Sequence, residues 1–330
     1  FALDGTDAAG NDTKFASLLT TLDDGTNYTG GIIEIPAGAS VAYNSPLALR
    51  CNTVIRGLGG QSYLNASKLR PNGCAAIVLD GSVKGSGGWA FFNAVENVMI
   101  WPQGAQVTGG FITLKDQYSC VFRGIRIVND GVSPTGAAIV HTSGNFTQFY
   151  NITIYGPGNY TGASYHHVGG SAYIESIDIE AHDVGMWWTG GDLDVVNPYI
   201  ERSRFAFKID NSNVNYDPSE GSLSVQGGVI AAAGTAPCIN IIANKQQVTF
   251  RSVRLPIGSN GYELLVLDPA LKSNIRFYDM DVPVKIIDQG LDQQITRADV
   301  APGILFLDAP QEDPGRVPLG GTTDQVLAKA

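Results

Sequence analysis

The stretch CVFRGIRI, residues 120–127, places an apolar pair before a polar and a turn-forming residue, and ends in an apolar–outward–apolar alternation. The pattern returns in eight further copies along the chain. They occupy 51–58, 93–100, 148–154, 172–179, 193–200, 223–230, 248–255 and 275–282. After a first interval of 42, their last apolar residues are 21 to 30 residues apart. Such a period indicates a solenoid, in which each repeat buries its apolar face by stacking on its neighbours.

The repeat has the pattern of a β-strand. Pairs such as Ile125/Ile127 and Ile152/Ile154 place apolar residues at every second position. The fifth position carries residues that tolerate a positive φ or bond their own backbone. They are Asn97, Gly124, Asn151, Ser176, Asn197, Gly227, Ser252 and Asp279. Each repeat therefore predicts a short strand, a sharp bend and a second strand.

A third strand per repeat, as at 111–114 and 138–140, completes the prediction of an all-β fold. Three short strands per turn of about 25 residues are typical of a right-handed parallel β-helix, here with about ten coils. A leucine-rich repeat would need a Leu-x-x-Leu-x-Leu pattern, and a propeller blade would need about 40 residues. We expect eight side chains to be buried: Ile125, Ile127, Ile152, Ile154, Ile177, Ile179, Val253 and Leu255.

Residues 12–22 predict one short amphipathic helix, with Asp12 as its N-cap. Phe15, Leu18, Leu19 and Leu22 share one face of this helix. A helix lying across the first coil would cover the open end of the solenoid, as capping repeats do.

Aspartate closes a different strand of several coils. Because this residue type recurs, Asp210 is interpreted as a turn residue and not as a catalytic acid. The strand-closing residues are Asp80, Asp210, Asp268, Asp288 and Asp308. We therefore assign 1–50 to an N-terminal segment with the capping helix, 51–308 to the β-helix and 309–330 to an exit linker towards a distal segment.

The net charge of −10 argues against a nucleic-acid partner, which needs stripes of Lys and Arg. No apolar run approaches 20 residues, so membrane insertion is not expected. An acidic polysaccharide would need a local basic patch, although the available arginines also fit ordinary outward positions on strands. These are Arg123, Arg126, Arg251, Arg254 and Arg276. Cys51 and Cys120 share an inward position of the repeat, which favours packed thiols over a disulfide framework.

Residues 164–204 hold the candidate catalytic side chains. Asp178 and Glu180 flank Ile179 and should lie about 6.7 Å apart at the backbone, with Glu201 one coil further on. Two carboxylates about 5 Å apart suit a retaining glycosidase, and about 6.5–9.5 Å suits an inverting one. Their proximity also raises one pKa, as a general acid requires. The alternative is a set of solvated charges paired with Arg202 and Arg204.

The same range holds three of the four histidines and two of the four tryptophans. Outward aromatic rings suit stacking on sugars. The candidate sugar-binding residues are Trp187, Trp188, Tyr199, His166, His167 and Arg202. Alternation sends one residue of each adjacent pair inward, and the first hypothesis takes Trp188 as the platform. No metal site and no cofactor are expected, because no known ligand spacing is present.

The predicted helix, then GGIIEIPAG (30–38) and NTVIRGLGG (52–60), resembles the pectin-lyase-like β-helix superfamily in the form found in bacteriophage tailspikes. The segment VPLGGTTDQVLAK (317–329) is similar to one in phage tail and fibre proteins, with Asp324 in place of Gly. The resemblance implies a homotrimer of the virion tail, acting outside the cell alongside other phage tail proteins. It also implies binding and depolymerisation of a bacterial capsule, O-antigen or exopolysaccharide.

Two other functions stay open. The chain could be a non-catalytic tail protein that binds a glycan receptor without cutting it. It could also be a secreted enzyme similar to pectate lyases, although the expected groove with clustered Asp and Arg or Lys is not evident in the sequence. A tailspike-type enzyme that depolymerises a surface polysaccharide would be an endo-glycosidase or a polysaccharide lyase.

Overall fold

The computed structural model describes residues 6–22, 29–60, 62–81, 88–103, 109–129, 136–156, 162–210, 221–232, 238–243, 246–255, 264–267, 274–278, 285–288, 294–296 and 306–308. One helix, α1 (Ala8–Leu22), precedes 31 strands in this part of the chain. Every strand pairing within it is parallel. Successive coils therefore stack along one axis, and their strands form three faces.

The first face has eleven strands: β1 (Gly31–Ile35), β4 (Thr53–Gly57), β8 (Ala94–Glu96), β12 (Val121–Arg123), β16 (Thr147–Tyr155), β18 (Ser171–Glu180), β20 (Asp192–Val196), β23 (Ser222–Gln226), β26 (Gln247–Arg251), β28 (Asn274–Tyr278) and β30 (Gln294–Thr296). The second face contains β2 (Ser40–Tyr43), β5 (Ser67–Pro71), β9 (Val98–Ile100), β13 (Arg126–Val128), the second halves of β16 and β18, β21 (Tyr199–Ser203) and β24 (Val229–Ala232). The long strands β16 and β18 join these two faces into one sheet.

The third face is a separate sheet of eleven strands: β3 (Leu47–Leu49), β6 (Ile77–Asp80), β10 (Ile112–Lys115), β14 (Ala137–His141), β17 (Ala163–His167), β19 (Val184–Trp188), β22 (Phe205–Asp210), β25 (Ile239–Ala243), β27 (Leu264–Leu267), β29 (Lys285–Asp288) and β31 (Phe306–Asp308). A small sheet of β7 (Ala90–Phe91), β11 (Gln117–Tyr118) and β15 (Gly144–Asn145) follows it. The predicted parallel β-helix with a short N-terminal helix is confirmed, with eleven coils among the described residues.

The bend between the first and second faces lies at the predicted position. Its φ is 55° at Asn97, 62° at Gly124, 53° at Asn151 and 60° at Ser176, and Asn197, Gly227 and Ser252 have the same conformation. The bend amides stay in the hydrogen-bond ladder: Asn97 N–H donates to the Arg123 carbonyl and Gly124 N–H to the Tyr150 carbonyl, both at 2.8 Å. The sheet thus turns a corner without losing its inter-coil bonds. Asp279 lies outside the described residues.

The interior is a continuous apolar core, and all eight side chains predicted to be inside are at most 2% exposed. Aromatic rings add to it, because Phe122 stacks on Phe149 at 5.1 Å and Phe149 meets Tyr165 edge-on at 5.5 Å. Burying each such side chain contributes roughly 1.5–3 kcal/mol. Cys51 and Cys120 are buried free thiols, as predicted. The strands β6, β22, β29 and β31 end at the expected aspartates, while Asp268 lies outside the described residues.

The capping helix covers the first coil, but Asp12 does not cap it. The helix begins four residues earlier, and the carboxylate of Asp7 accepts a hydrogen bond from Gly10 N–H at 2.9 Å. Asp12 lies inside the helix and accepts bonds from the backbone N–H groups of Asn44 and Ser45, which ties the helix to the chain after β2. Phe15 is buried against Tyr43, with ring centroids 5.7 Å apart.

The first coil of the β-helix consists of β1, β2 and β3, which pair with β4, β5 and β6 of the next coil. These strands lie in the range that was assigned to the N-terminal segment. The proposed division of the chain at residue 50 remains a prediction, and the exit linker, 309–330, lies outside the described residues.

A polar stack crosses the apolar interior beneath the third face. His141 and His167 lie at equivalent inward positions, and their Nδ1 atoms are 2.9 Å apart. The amide nitrogen of Gln117 lies 2.6 Å from both His141 Nε2 and Thr147 Oγ1. Because this nitrogen only donates, His141 accepts at Nε2 and donates from Nδ1 to His167. Both rings are therefore neutral in the folded chain.

Acid should destabilise the fold. Burial lowers the pKa of His141 and of His182 to about 3, and lowers that of His167 well below its usual value. Unfolded histidine takes up a proton near pH 6.5, so the unfolded state binds more protons between about pH 6.5 and 3. The free energy of unfolding should therefore decrease as the pH is lowered through that window. The decrease should be up to about 1.4 kcal/mol per pH unit for each histidine.

Urea unfolding at pH steps from 7 to 5 would measure this slope, before most carboxylates protonate. In the variant His141→Gln the free energy of unfolding should change less steeply with pH than in the unchanged chain. The variant lacks one histidine that binds a proton in the unfolded state but not in the folded state. A stability that does not change between pH 7 and 5 would contradict the prediction.

Candidate functional site

The three candidate catalytic carboxylates lie together on the second face. In the register of β18 and β21, Asp178 is opposite Tyr199 and Glu180 is opposite Glu201, as the repeat alignment predicts. Thr153 and Tyr155 occupy the corresponding places one coil earlier. Inward Ile179 and Ile200 are fully buried, so alternation turns the acids outward, where they are partly exposed. The strands thus present a patch of three acids on a rigid wall.

Glu201 is held by two neighbours. The Tyr199 hydroxyl donates to Glu201 Oε2 at 2.8 Å, and Arg202 Nε lies 3.8 Å from Glu201 Oε1. Arg202 also reaches Glu180 Oε2, at 4.0 Å from Nη1. Its φ of 56° turns the backbone at the end of β21 and lets the side chain fold back over the acids. The Arg202 side chain is 68% exposed against 27% for Glu180 and 31% for Glu201, so it covers them on the solvent side.

Asp178 is the acid best suited to hold a proton. Burial raises its pKa, the negative charges of Glu180 and Glu201 raise it further, and Arg126 opposes them. Its Oδ1 atom is buried and has no hydrogen-bond partner among the described residues. A neutral carboxyl avoids the cost of a buried charge without a partner. The site therefore places a carboxyl group of raised pKa close to two further carboxylates.

His166 and Trp187 lie on a different surface. They follow one another on the third face, and Lys208 comes next in the same outward column. The two rings stack at 4.2 Å with planes 8° apart, and Lys208 Nζ lies 4.1 Å from the centre of the Trp187 ring. Burial lowers the pKa of His166 to about 4, and the charge of Lys208 acts in the same direction. This column forms a stacked structural surface, separate from the acids.

Two predicted sugar-binding residues are in the core, which corrects the sequence analysis. His167 and Trp188 are both 0% exposed, and Trp188 Nε1 donates to the Gly191 carbonyl at 3.1 Å. As expected, alternation turns one residue of each adjacent pair inward. In both His166-His167 and Trp187-Trp188 it is the second residue that points inward. The sequence does contain a signal for the correct direction. In the segment 207–209 the charged Lys208 must point outward, and it aligns with Trp187 and His166 on the preceding strands. Trp187 therefore replaces Trp188 as the outward ring.

Sequence reasoning missed a second group on the face that carries the acids. This cation–aromatic cluster consists of Tyr63, Lys68, Arg70, Trp101 and Arg126, in which each cation lies within 6.0 Å of one of the two rings. Tyr63 comes from a loop outside the repeat, so no periodic signal includes it. Only Arg126 had been noted, as one of several outward arginines.

A ridge of aromatic rings follows the corner after the third face. It consists of Phe91, Phe92, Tyr118 and Phe146, with consecutive ring centroids 5.4–6.4 Å apart. Phe92 and Phe146 are exposed and have positive φ values of 57° and 58°, which is rare for bulky residues. Three rings of the ridge, those of Phe92, Tyr118 and Phe146, are exposed, and Phe91 is half-buried.

Two kinds of feature are absent from the described part of the chain, a cluster of metal ligands and a helix that could span a membrane. No three His, Cys, Asp or Glu side chains there are grouped to hold a metal ion. The helix of that part is too short and too polar to span a membrane.

No family model matches the chain, and no curated protein matches its sequence. Among solved structures, the chain is similar to a mutant tailspike protein of the E. coli bacteriophage HK620, with a TM-score of 0.55 and 12% sequence identity. The similarity shows that the two chains share the parallel β-helix fold. The similarity covers 93% of this chain and 62% of the tailspike chain, so this chain spans less than two thirds of that protein's length.

The two adjacent tryptophans should differ sharply in their contribution to stability. Trp188→Ala leaves a cavity in the core and removes the bond to Gly191, so it should lower the free energy of unfolding by about 3–5 kcal/mol. Trp187→Ala removes a stacked ring and a cation–π contact at the surface, which should cost about 1–2 kcal/mol. Urea unfolding of both variants measures the difference. An equal loss in the two variants would show that the inward and outward assignment is wrong.

Proposed function

We propose that this chain is a tailspike-type domain that binds a bacterial surface polysaccharide on its second face and cleaves it there. The observation that supports this most directly is the partly buried Asp178, with an unpartnered carboxyl oxygen, beside Glu180 and Glu201. The substrate would be a capsule, an O-antigen or an exopolysaccharide. The protein would act outside the cell, in the virion tail together with other tail proteins.

The strand geometry suits hydrolysis by two carboxylates. Along one strand Asp178 and Glu180 are about 6.7 Å apart at the backbone, and Glu180 and Glu201 are about 4.8 Å apart across strands. The diagonal between the backbones of Asp178 and Glu201 is about 8 Å, and carboxyl groups at such a separation would leave room for an attacking water. Asp178 would protonate the leaving oxygen, and Glu201, positioned by Tyr199 and Arg202, would take a proton from the water. If the carboxyl groups keep the separation of their backbones, inversion at the sugar carbon is expected.

Two exposed tyrosines flank the acids on the same face. Tyr199 lies next to Asp178, and Tyr155 lies next to Glu180 on the neighbouring strand. Sugar rings carry apolar C–H faces and hydroxyl edges, so tyrosine can both stack on them and bond to them. The wall of the second face is thus suited to hold a glycan chain across the acids.

A second candidate function is glycan binding without cleavage. It is favoured by the contacts of Arg202 with both Glu180 and Glu201, which offset the charge that a base or nucleophile would use. Ion pairs this exposed contribute only about 0–1 kcal/mol, so a bound sugar could displace Arg202. Activity measurements separate the two functions.

Purified capsules, lipopolysaccharides and exopolysaccharides should be tested for new reducing ends and for the ultraviolet absorbance of an unsaturated product. Hydrolysis gives the first without the second, whereas a lyase gives both. With a substrate found, Asp178→Asn and Glu201→Gln should each lower turnover at least ~10²-fold, because a positioned proton donor or acceptor is lost. Polysaccharide affinity should change little.

The matched control is Glu175→Gln. This acid is on the same strand, β18, but on the first face, where the Tyr173 hydroxyl donates to it. Its loss should leave turnover unchanged. Binding without any product, or full activity in both site variants, would contradict cleavage at this site.

We also propose that the chain assembles as a homotrimer. Support comes from the tail-protein resemblance and from the exposed rings of the aromatic ridge, since a large apolar surface is unusual on a free monomer. Sedimentation equilibrium at micromolar concentration should give three times the chain mass of 34.9 kDa. A single species at the monomer mass would contradict it.

A further inference from the structure

The cation–aromatic cluster lies on the outward surface of the second face, on the coils of β5 to β13. The acids lie further along the same face, on β18 and β21. Lys68 and Arg70 are alternate residues of β5, and Arg126 begins β13 two coils later. Lys68 Nζ lies 6.0 Å from the centre of the Tyr63 ring and 5.9 Å from that of Trp101. The guanidinium carbon of Arg70 is 5.6 Å from the Trp101 ring, and that of Arg126 is 5.6 Å from the Tyr63 ring.

The loop that carries Tyr63 is fixed on this face. Ala66 packs with Met99 and Val128 in a small buried cluster outside the main core. The Asn65 carbonyl accepts a bond from Gly38 N–H at 3.1 Å, and Ser67 Oγ accepts one from Gly59 N–H at 3.0 Å. Tyr63 is therefore held edge-on to Trp101, with ring centroids 5.2 Å apart, and stays partly exposed. The two rings form a rigid platform surrounded by cations.

Two cations of the platform, Lys68 and Arg70, lack the carboxylate partners that other outward cations have in the described part of the chain. Arg56 pairs with Glu96 and Lys115 with Asp80. By contrast, neither Lys68 nor Arg70 forms an ion pair with a carboxylate in the described part of the chain, and Arg70 Nε is buried without a hydrogen-bond partner. Like charges so close repel one another, and the chain as a whole carries −10. A bound anion would remove the repulsion and supply acceptors for the open donors.

The cluster and the acids belong to one continuous column of strands. Lys68, Met99, Arg126, Thr153 and Asp178 follow one another in register across β5, β9, β13, β16 and β18. With about 4.8 Å between strands, Arg126 is about 10 Å and Lys68 about 19 Å from Asp178 along the axis. One extended polymer lying along the second face would therefore contact both groups.

We propose that the cation–aromatic cluster is an anion subsite for an acidic polysaccharide, which binds with its charged groups on Lys68, Arg70 and Arg126 and a sugar ring on Tyr63 or Trp101. The direction of the polymer towards Asp178 rests on the function proposed above, whereas the anion subsite does not. The guanidinium groups suit the planar fork of a carboxylate or the oxygens of a phosphate or sulfate ester. Neutral polysaccharides would gain little from this site.

Dextran sulfate and dextran provide the probe, since they are the same polymer with and without negative charge. Binding of each is measured by titration calorimetry on the full chain at low and at physiological salt. Dextran sulfate should bind, more weakly as salt screens the charges, and dextran should not. The double variant Lys68→Gln/Arg70→Gln should bind dextran sulfate at least ~10-fold more weakly.

The matched control is Arg123→Gln/Arg251→Gln. These two arginines are outward on the first face, each lies over a tyrosine ring, and their loss changes the net charge by the same amount. The control should weaken dextran sulfate binding less than ~2-fold. Equal losses in the two double variants, or no loss in the first, would overturn the subsite, because binding would then follow net charge alone.

The cleavage assay distinguishes this inference from the function on which it partly rests. If an acidic bacterial polysaccharide is cleaved, Asp178→Asn should lower turnover at least ~10²-fold, while Lys68→Gln/Arg70→Gln should raise KM and leave kcat unchanged. An unchanged KM would overturn the subsite and leave the proposed function standing. Dextran sulfate binding that depends on Lys68 and Arg70, with no bacterial polysaccharide bound or cleaved, would overturn the function and leave the subsite standing.

Discussion

The hydrogen bond between a bend residue of one coil and a carbonyl group of the next is the interaction on which the rest of the structure depends. Asn97, Gly124, Asn197, Gly227 and Ser252 all donate in this way while their φ is positive. The bond keeps successive coils in register through the corner. A shift of one residue would exchange the inward and outward side chains of the second face, and would bury Asp178 and Glu180 in place of Ile177 and Ile179.

The register explains how much of the site the sequence could predict. The bend residue fixes which neighbours point inward, so the pairing of Asp178 with Tyr199 and of Glu180 with Glu201 followed from an alignment of repeats alone. The third face has no such marker, and adjacent apolar or aromatic residues there fit either direction. Trp187 and Trp188 were ambiguous for that reason. Only the comparison with Lys208 on the next strand decides between them.

Contacts made by residues at irregular backbone angles or in loops between the repeats could not be predicted from the repeat pattern. Arg202 reaches the acids because a positive φ turns the chain back at the end of β21. Ala181 has the same angle one coil earlier, but neither alanine nor arginine is a residue type that predicts it. Tyr63 reaches the second face from a loop between β4 and β5, far from Arg126 in the chain. Asp7 replaces Asp12 as the helix cap because the helix begins one turn earlier than its apolar pattern.

A solenoid separates the requirements of folding from those of binding, since the inward positions carry the stability and the outward ones are free to change. On the second face this freedom gives an axial gradient of charge. Cations occupy the coils of β5 and β13, uncharged Thr153 and Tyr155 come next, and three acids follow on β18 and β21. A polymer with a regular negative charge is attracted at one end of this gradient and repelled at the other. Its charged groups would therefore settle on the cations and leave a neutral linkage at the acids, which are separated from them by only about 10 Å.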